Sequence, residues 1–293
     1  MNFPITFVSL TNSENKQFLD DKFIDIDKLI KDKNPRLYLW MPGFLIRYLK
    51  RTIRQKDSNE VIRDNKGADG YEFSLDVIKR LDIKVTVEGL ENIPKSGGTI
   101  FAVNHPLGGM DALAIIKEVY PIRNDLKFVV NDLLLHLPNL KDLFTGVNKH
   151  GSNSKESLSA LNELFASERA IFVFPAGLVS RRKKGKVADL EWKKTFITRS
   201  RKFKRDVIPV HISGELTPFF YRLANFRSRI GIKANIEMLY LVDELFKQKG
   251  KTLHIKFGKS IPYNTFDKSK KDPEWAQWVK DKAYALQMTT KND

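Results

Sequence analysis

The chain contains no cysteine, which removes disulfide frameworks, thiolate zinc sites and a cysteine nucleophile together. It has no apolar run approaching the roughly 20 residues that a bilayer-spanning helix needs. Residues 1–10 carry no basic stretch ahead of their apolar residues, so neither a membrane span nor an export signal is expected. Internal repeats and low-complexity tracts are missing too. Negative charge is scarce, with 35 Asp and Glu against 51 Lys and Arg, a net charge of +16. That surplus calls for an anionic partner, whether nucleic acid, an acidic membrane surface or an acidic carrier protein. What remains is globular: 293 residues, 42% of them hydrophobic, bury a large core.

Residues 1–36 read as helical, with an apolar face of Phe18, Phe23, Ile24, Ile26, Leu29 and Ile30. The stretch 37–46 is uncharged and aromatic, flanked by Lys31, Lys33 and Arg36 before it and Arg47, Lys50, Arg51 and Arg54 after it. It is too short to span a bilayer. Two readings stay open here: insertion at headgroup level, with Tyr38 and Trp40 at the interface, or an ordinary core helix with a basic outer side. Polar residues 56–71 read as a linker, so residues 1–72 form an N-terminal helical, membrane-associating region and residues 73–293 a second domain. In the second domain apolar strands alternate with helices, which predicts an α/β fold with a mainly parallel sheet flanked by helices on both faces.

The run Thr99 to Val103 predicts a buried strand, and residues 111–120 a helix. Between them lies Asn104-His105-Pro106-Leu107-Gly108-Gly109-Met110-Asp111. His105 thus sits at a strand's carboxyl end, where open α/β sheets place ligands, and the two glycines permit a turn that folds Asp111 back towards it. A neutral imidazole takes a proton from a hydroxyl near neutral pH, and a carboxylate on its other nitrogen fixes the tautomer and stabilises the cation that forms. The plainer alternative makes Asp111 the N-cap of the helix and His105 a satisfied loop residue. Further on, Ala170 to Phe174 predicts a strand running into Pro175-Ala-Gly177-Leu-Val-Ser180-Arg181. There a glycine at a strand end exposes backbone N–H groups, and basic residues beside it suit an anion. Residues 207–213 predict another buried strand, inside which His211 reads as core. The greasy segment 131–143 lines an acyl channel or fills core. Lysines and arginines cluster at 183–186, 193–194 and 199–205, a surface suited to anionic lipid or an acidic carrier.

The segment from Asn104 to Asp111 resembles the first motif of the glycerolipid acyltransferase family, whose type member is lysophosphatidic acid acyltransferase. That family usually sets four residues between His and Asp. The five found here resemble the branch holding the ornithine-lipid-type O-acyltransferases and hemolysin-labelled proteins. Residues 174–182 resemble the third motif, usually Phe-Pro-Glu-Gly, with Ala176 in place of the glutamate. Residues 207–213 resemble the fourth, marked by Pro209, and residues 144–151 fall where the second is expected, with Lys149 the nearest match to its basic residue. The resemblance covers residues 81–258.

It implies a glycerol-3-phosphate acyltransferase-like fold and transfer of a fatty acyl group from an acyl carrier protein or coenzyme A thioester to a lysolipid hydroxyl. The acceptor is a lyso-aminolipid, such as a lyso-ornithine or lyso-glycine lipid, or lysophosphatidate. His105 and Asp111 would be catalytic. Asn104, Gly108, Gly109, Lys149, Phe174, Pro175, Gly177, Ser180 and Arg181 would bind substrate. No metal or further cofactor is implied, and the expected location is the cytoplasmic face of the inner membrane, peripheral or monotopic. The competing class is a non-enzymatic basic protein binding nucleic acid or an anionic membrane surface. No nucleic-acid-binding signature supports it.

Overall fold

In a computed structural model the chain is described at residues 23–131, 135, 137–147 and 155–289. It divides into two compact units, one of residues 23–67 with 217–247, the other of 68–216 with 248–289.

The first unit opens with four helices, α1 (Ile26–Lys33), α2 (Pro35–Trp40), α3 (Gly43–Thr52) and α4 (Gln55–Asp64). Asn34 caps α2 through its side chain, with Pro35 at the first helical position, where the missing N–H costs nothing. α4 occupies the stretch expected to be a linker. Its sequence offers little apolar periodicity, and it is fixed by tertiary bonds instead. Asn59 exchanges hydrogen bonds with the backbone of Ile24 (2.8 Å each way), and Arg54 pairs with Asp243 at 2.8 Å.

The second unit begins with α5 (Gly70–Arg80), started by a capping box between Asp69 and Glu72. It continues through β1 (Lys84–Glu88), β2 (Thr99–Val103), α6 (Gly109–Val119), β3 (Leu126–Asn131), β4 (Phe144–Val147), α7 (Lys155–Ala166), β5 (Ala170–Val173), β6 (Arg181–Lys183), β7 (Lys186–Ala188), α8 (Thr195–Phe203) and β8 (Asp206–Ile212). The chain then supplies α9 (Pro218–Arg229) and α10 (Leu241–Phe246) to the first unit, and returns to the second as β9 (Thr252–Phe257) and α11 (Asp272–Ala285). Nothing in the local pattern separates 217–247 from its neighbours, because what assigns the segment is long-range contact.

Seven strands form one sheet in the order β1-β9-β8-β2-β5-β3-β4, every neighbouring pair parallel except β8 and β9. The α/β architecture expected from the alternation is therefore found. All five residues of β2 are buried, as befits a central strand covered on both faces. Ile100, Ala102, Ile171, Val173 and Val207 share one face with α7, α8 and α11, through Leu164, Phe196, Trp275 and Val279. The opposite face carries an aromatic row in which Phe101 stacks on Phe172 (4.4 Å between ring centroids) and Phe172 on Phe128 (4.9 Å). β6 and β7 form a separate antiparallel hairpin, turned by Lys184 and Gly185 with φ of 48° and 80°, the pair of positive angles that a two-residue hairpin turn requires. Neither this hairpin nor β4 was anticipated. Among the described residues no helix is long and apolar enough to cross a membrane.

Of the basic residues of 199–205, Arg205 is buried, and the half-buried Arg199 and Arg201 are engaged with neighbouring side chains. Arg205, 2% exposed, donates to the carbonyls of Phe165 (2.9 Å) and Ser167 (2.6 Å) at the end of α7. Arg201 pairs with Asp272, and Arg199 lies over the rings of Phe165 and Phe203. The exposed charge of this region is therefore smaller than the sequence implied.

Candidate active site

β2 ends at Val103, and the next two residues are fixed from different sides. Asn104 is buried and its carboxamide is bonded at both ends to Ile212 on β8: Nδ2 donates to the Ile212 carbonyl (2.8 Å), and the Ile212 N–H donates to Oδ1 (2.6 Å). Its side chain thus faces the neighbouring strand, where it latches the strand ends together. His105 follows with its ring 19% exposed and Nδ1 2.9 Å from Oδ2 of Asp111, which is fully buried. The same carboxylate accepts the backbone N–H groups of Leu107 (3.0 Å) and Gly108 (3.1 Å). Gly108 has φ 74° and ψ −126°, a conformation that a side chain would strain, and it brings the start of α6 back under the histidine. Gly109 is exposed at the first position of that helix.

Asp111 is not the N-cap of α6, a place that Gly108 takes; it is the third residue of the helix, accepts the Gly108 N–H and also bonds the His105 ring. Burial pushes its carboxyl above the ordinary range, while the His105 ring and the Leu107 amide act in the opposite direction. An ionised carboxylate only accepts hydrogen bonds, so Nδ1 carries the proton and Nε2 presents its lone pair. Among the described residues Nε2 has no partner.

β5 lies parallel to β2, so the carboxyl ends of the two strands adjoin. That places Phe174 against His105, with ring centroids 4.2 Å apart and planes 28° apart. Pro175 is buried, and Ala176 joins the apolar core that includes Trp192. Gly177 turns the chain with φ 66°, its N–H donating to the Phe174 carbonyl at 2.9 Å. That amide, which the sequence offered for an anion, here helps to close the turn. Ser180 returns to the histidine, its N–H donating to the His105 carbonyl at 2.7 Å. Arg181 is buried and donates to the Val179 carbonyl at 2.6 Å. Lys149 lies outside the described residues.

The residue that sequence reasoning missed is Asp189. It emerges directly after β7, is 6% exposed, and unites three segments. Its Oδ1 accepts the His105 N–H (3.1 Å) and the Ser180 hydroxyl (2.6 Å), and its Oδ2 accepts the Trp192 indole N–H (2.8 Å). Its own N–H donates to the Tyr284 hydroxyl (2.8 Å), and Lys280 donates to its carbonyl (2.8 Å), so α11 holds it from behind. The only sequence signal was an acid followed three residues later by tryptophan, in a basic stretch. Position 176 carries no acid, and the carboxylate that holds the His105 backbone is that of Asp189. His211, expected in the core, is 5% exposed; its ring lies edge to face with Tyr284, and burial, with Lys256 nearby, pushes its imidazole down to about 4.

The arrangement presents one imidazole lone pair at the end of a central strand, beside an aromatic ring, with a carboxylate on the opposite ring nitrogen. Such an arrangement has the chemistry to take a proton from an alcohol. Comparison with known proteins agrees with that chemistry. A lyso-glycine lipid O-acyltransferase of Bacteroides thetaiotaomicron is 45% identical over 266 residues, covering 90% of this chain and 97% of the relative. One of Phocaeicola vulgatus is 44% identical, covering 90% and 95%. The crystal structure of the 1-acyl-sn-glycerophosphate (LPA) acyltransferase PlsC of Thermotoga maritima shares the fold, with a TM-score of 0.51 at 20% identity over 85% of this chain and 91% of that one. A family model described as acyltransferase matches residues 28–292, which takes in the N-terminal helices that the sequence motifs left unmatched. With that match running almost end to end through the His105–Asp111 loop, the chain belongs to the acyltransferase family and is an enzyme.

Proposed function

We propose that the protein transfers a fatty acyl group from a thioester, on acyl carrier protein or coenzyme A, to the hydroxyl of a lyso-glycine lipid. The observation that carries the acceptor is the identity of 45% to a lyso-glycine lipid O-acyltransferase across nearly its whole length. The longer His-Asp spacing points the same way. The likeness to the lysophosphatidate enzyme is one of fold alone, so lysophosphatidate is the second acceptor to test.

In this reading Nε2 of His105 takes the proton of the acceptor hydroxyl, and Asp111 stabilises the imidazolium that results. The alkoxide oxygen attacks the thioester carbonyl and the carbon–sulfur bond breaks. The departing thiolate takes the proton back from His105, leaving an ester and a free thiol. No acyl-enzyme is required, because the acceptor itself is the nucleophile. Phe174, Pro175 and the turn at Gly177 border the place where acceptor and donor would meet, and Ser180 and Asp189 hold the His105 backbone there. We further place the enzyme peripherally at the cytoplasmic face of the cell membrane, where its lipid acceptor resides.

The test is acyl transfer by purified protein, given labelled acyl carrier protein and coenzyme A thioesters in turn with lyso-glycine lipid, lyso-ornithine lipid and lysophosphatidate. Turnover is expected with lyso-glycine lipid and to be abolished by His105→Ala, with thermal unfolding nearly unchanged. Turnover on lysophosphatidate alone would overturn the acceptor, and full activity in His105→Ala would overturn the mechanism.

A further inference from the structure

Among the described residues of the first unit, several large apolar side chains are exposed. Leu39 is 82% exposed, Trp40 87%, Phe44 66% and Tyr48 48%, while Ile46, on the other side of α3, is buried. Most of residues 37–46 are thus exposed among the described residues, which does not fit a core helix. Phe44 and Tyr48 stand one turn apart on α3, and Arg51 continues the same stripe, so an apolar ridge runs into a basic end. Soluble proteins seldom leave such a surface bare.

At that basic end lies a cleft of about 540 Å³, lined among others by Tyr48, Lys50, Arg51, Arg54, Lys56 and Tyr240. Its two acids are already matched: Asp243 is held by Arg54 at 2.8 Å and Lys247 at 2.6 Å, and Asp57 lies 3.2 Å from Arg54. Lys50 pairs with Asp27. Arg51 and Lys56 are exposed, and among the described residues neither has a carboxylate partner. The cleft thus has a surplus of two exposed cations. The Tyr48 and Tyr240 hydroxyls meet at its wall. Burial, with Tyr48 beside it, holds Tyr240 up at about 12, so it remains a neutral hydroxyl.

We propose that this cleft takes the phosphate of an anionic phospholipid in the membrane surface, while Trp40 and Phe44 enter the leaflet beside it. Charge complementarity selects that occupant. Two exposed cations without a carboxylate partner among the described residues, with two tyrosine hydroxyls beside them, suit a single phosphodiester, and an adjoining aromatic ridge suits the acyl chains below it. The proposal rests on the membrane association put forward above and names its docking face and lipid charge.

Cosedimentation with vesicles tests it, using phosphatidylcholine alone and an equal mixture of phosphatidylcholine and phosphatidylglycerol. Wild-type protein is expected to prefer the mixed vesicles. Arg51→Ala with Lys56→Ala should lower partitioning onto them about 30-fold, or about fivefold per cation, the equivalent of ~1 kcal/mol each. Trp40→Ser with Phe44→Ser should weaken binding to both vesicle types by about tenfold or more. The comparison pair is Lys183→Ala with Lys184→Ala, equal in charge and exposed on the hairpin of the other unit; it should change binding little. A loss from that pair equal to the loss from Arg51 and Lys56 would overturn the proposal in favour of unlocalised charge, and so would undiminished binding by the cleft variant. All three double variants should melt like wild type and keep its transfer rate on acceptor dispersed in neutral detergent. Vesicle docking and transfer chemistry therefore stand or fall separately.

Discussion

Replacing Asp111 by asparagine separates the charge of the carboxylate from its shape. Its Oδ2 accepts from His105 Nδ1 at 2.9 Å and from the Leu107 and Gly108 amides at 3.0 and 3.1 Å. An amide oxygen in that place meets all three donors, whereas an amide nitrogen there would face two backbone N–H groups that cannot turn away. The asparagine is therefore held with its oxygen towards the ring, and Nδ1 keeps its proton. What disappears is the negative charge that stabilises the imidazolium formed as the acceptor loses its proton. Unit charges about 4 Å apart interact by about 4 kcal/mol at an effective dielectric of about 20. With a neutral hydrogen bond left in place, the barrier should rise by about 3 kcal/mol, on the order of a hundredfold in rate.

Stability should not follow activity down. Burial raises the Asp111 carboxyl above its ordinary range. An acid whose folded pKa exceeds its unfolded value contributes stability that is fully present below the unfolded value, about 3.9, and lost as pH rises through the folded one. At neutral pH the wild type bears the cost of a buried charge that the asparagine lacks. Asp111→Asn should therefore melt no lower than wild type at neutral pH, and wild type should gain on it as pH falls. Initial rates with a labelled thioester and melting curves at neutral and acid pH measure both effects. A rate loss below about tenfold, or an asparagine variant melting well below wild type at neutral pH, would refute the reasoning.

The other buried acid should behave in the opposite way. Asp189 accepts N–H or O–H donors at both oxygens, so Asp189→Asn sets an amide N–H against a buried donor whichever way it turns, at a cost of about 1–3 kcal/mol. The variant should melt lower, with kcat falling more than KM changes because the His105 backbone loses its anchor; unchanged melting would count against this. His211, held down at about 4 from 6.5, makes wild-type stability fall as pH drops from about 6.5 towards about 4, by about 3 kcal/mol in all, because the unfolded chain takes up a proton that the folded chain refuses. In His211→Leu that acid-side loss should largely vanish from the melting curves, and an identical pH dependence in both proteins would rule the explanation out.

Much of the second unit was legible because burial writes itself into composition. Thr99–Val103 is an unbroken apolar or β-branched run, and in Thr252–Phe257 the apolar Leu253, Ile255 and Phe257 alternate with polar residues; both strands lie where the pattern placed them. His105 and Asp111 were legible because the glycines between them imply a turn. The first unit was less so: α4 has the composition of a linker and depends on partners far along the chain. The family resemblance made Asn104 a substrate contact, yet its carboxamide is bonded at both ends to the backbone of Ile212. Asp189 was invisible for a related reason. Its position follows from the β6–β7 hairpin, whose return path nothing in the local pattern announces.

The grip of α11 on Asp189 means that the last helix is more than a cover for the sheet. Lys280 and Tyr284 lie in its second half, and shortening the chain ahead of them would release Asp189, some 90 residues upstream, which holds the His105 backbone. A trimmed protein that still folds would thus be expected to bind its lipid yet react slowly, so tags and truncations at this terminus should be chosen to spare both side chains.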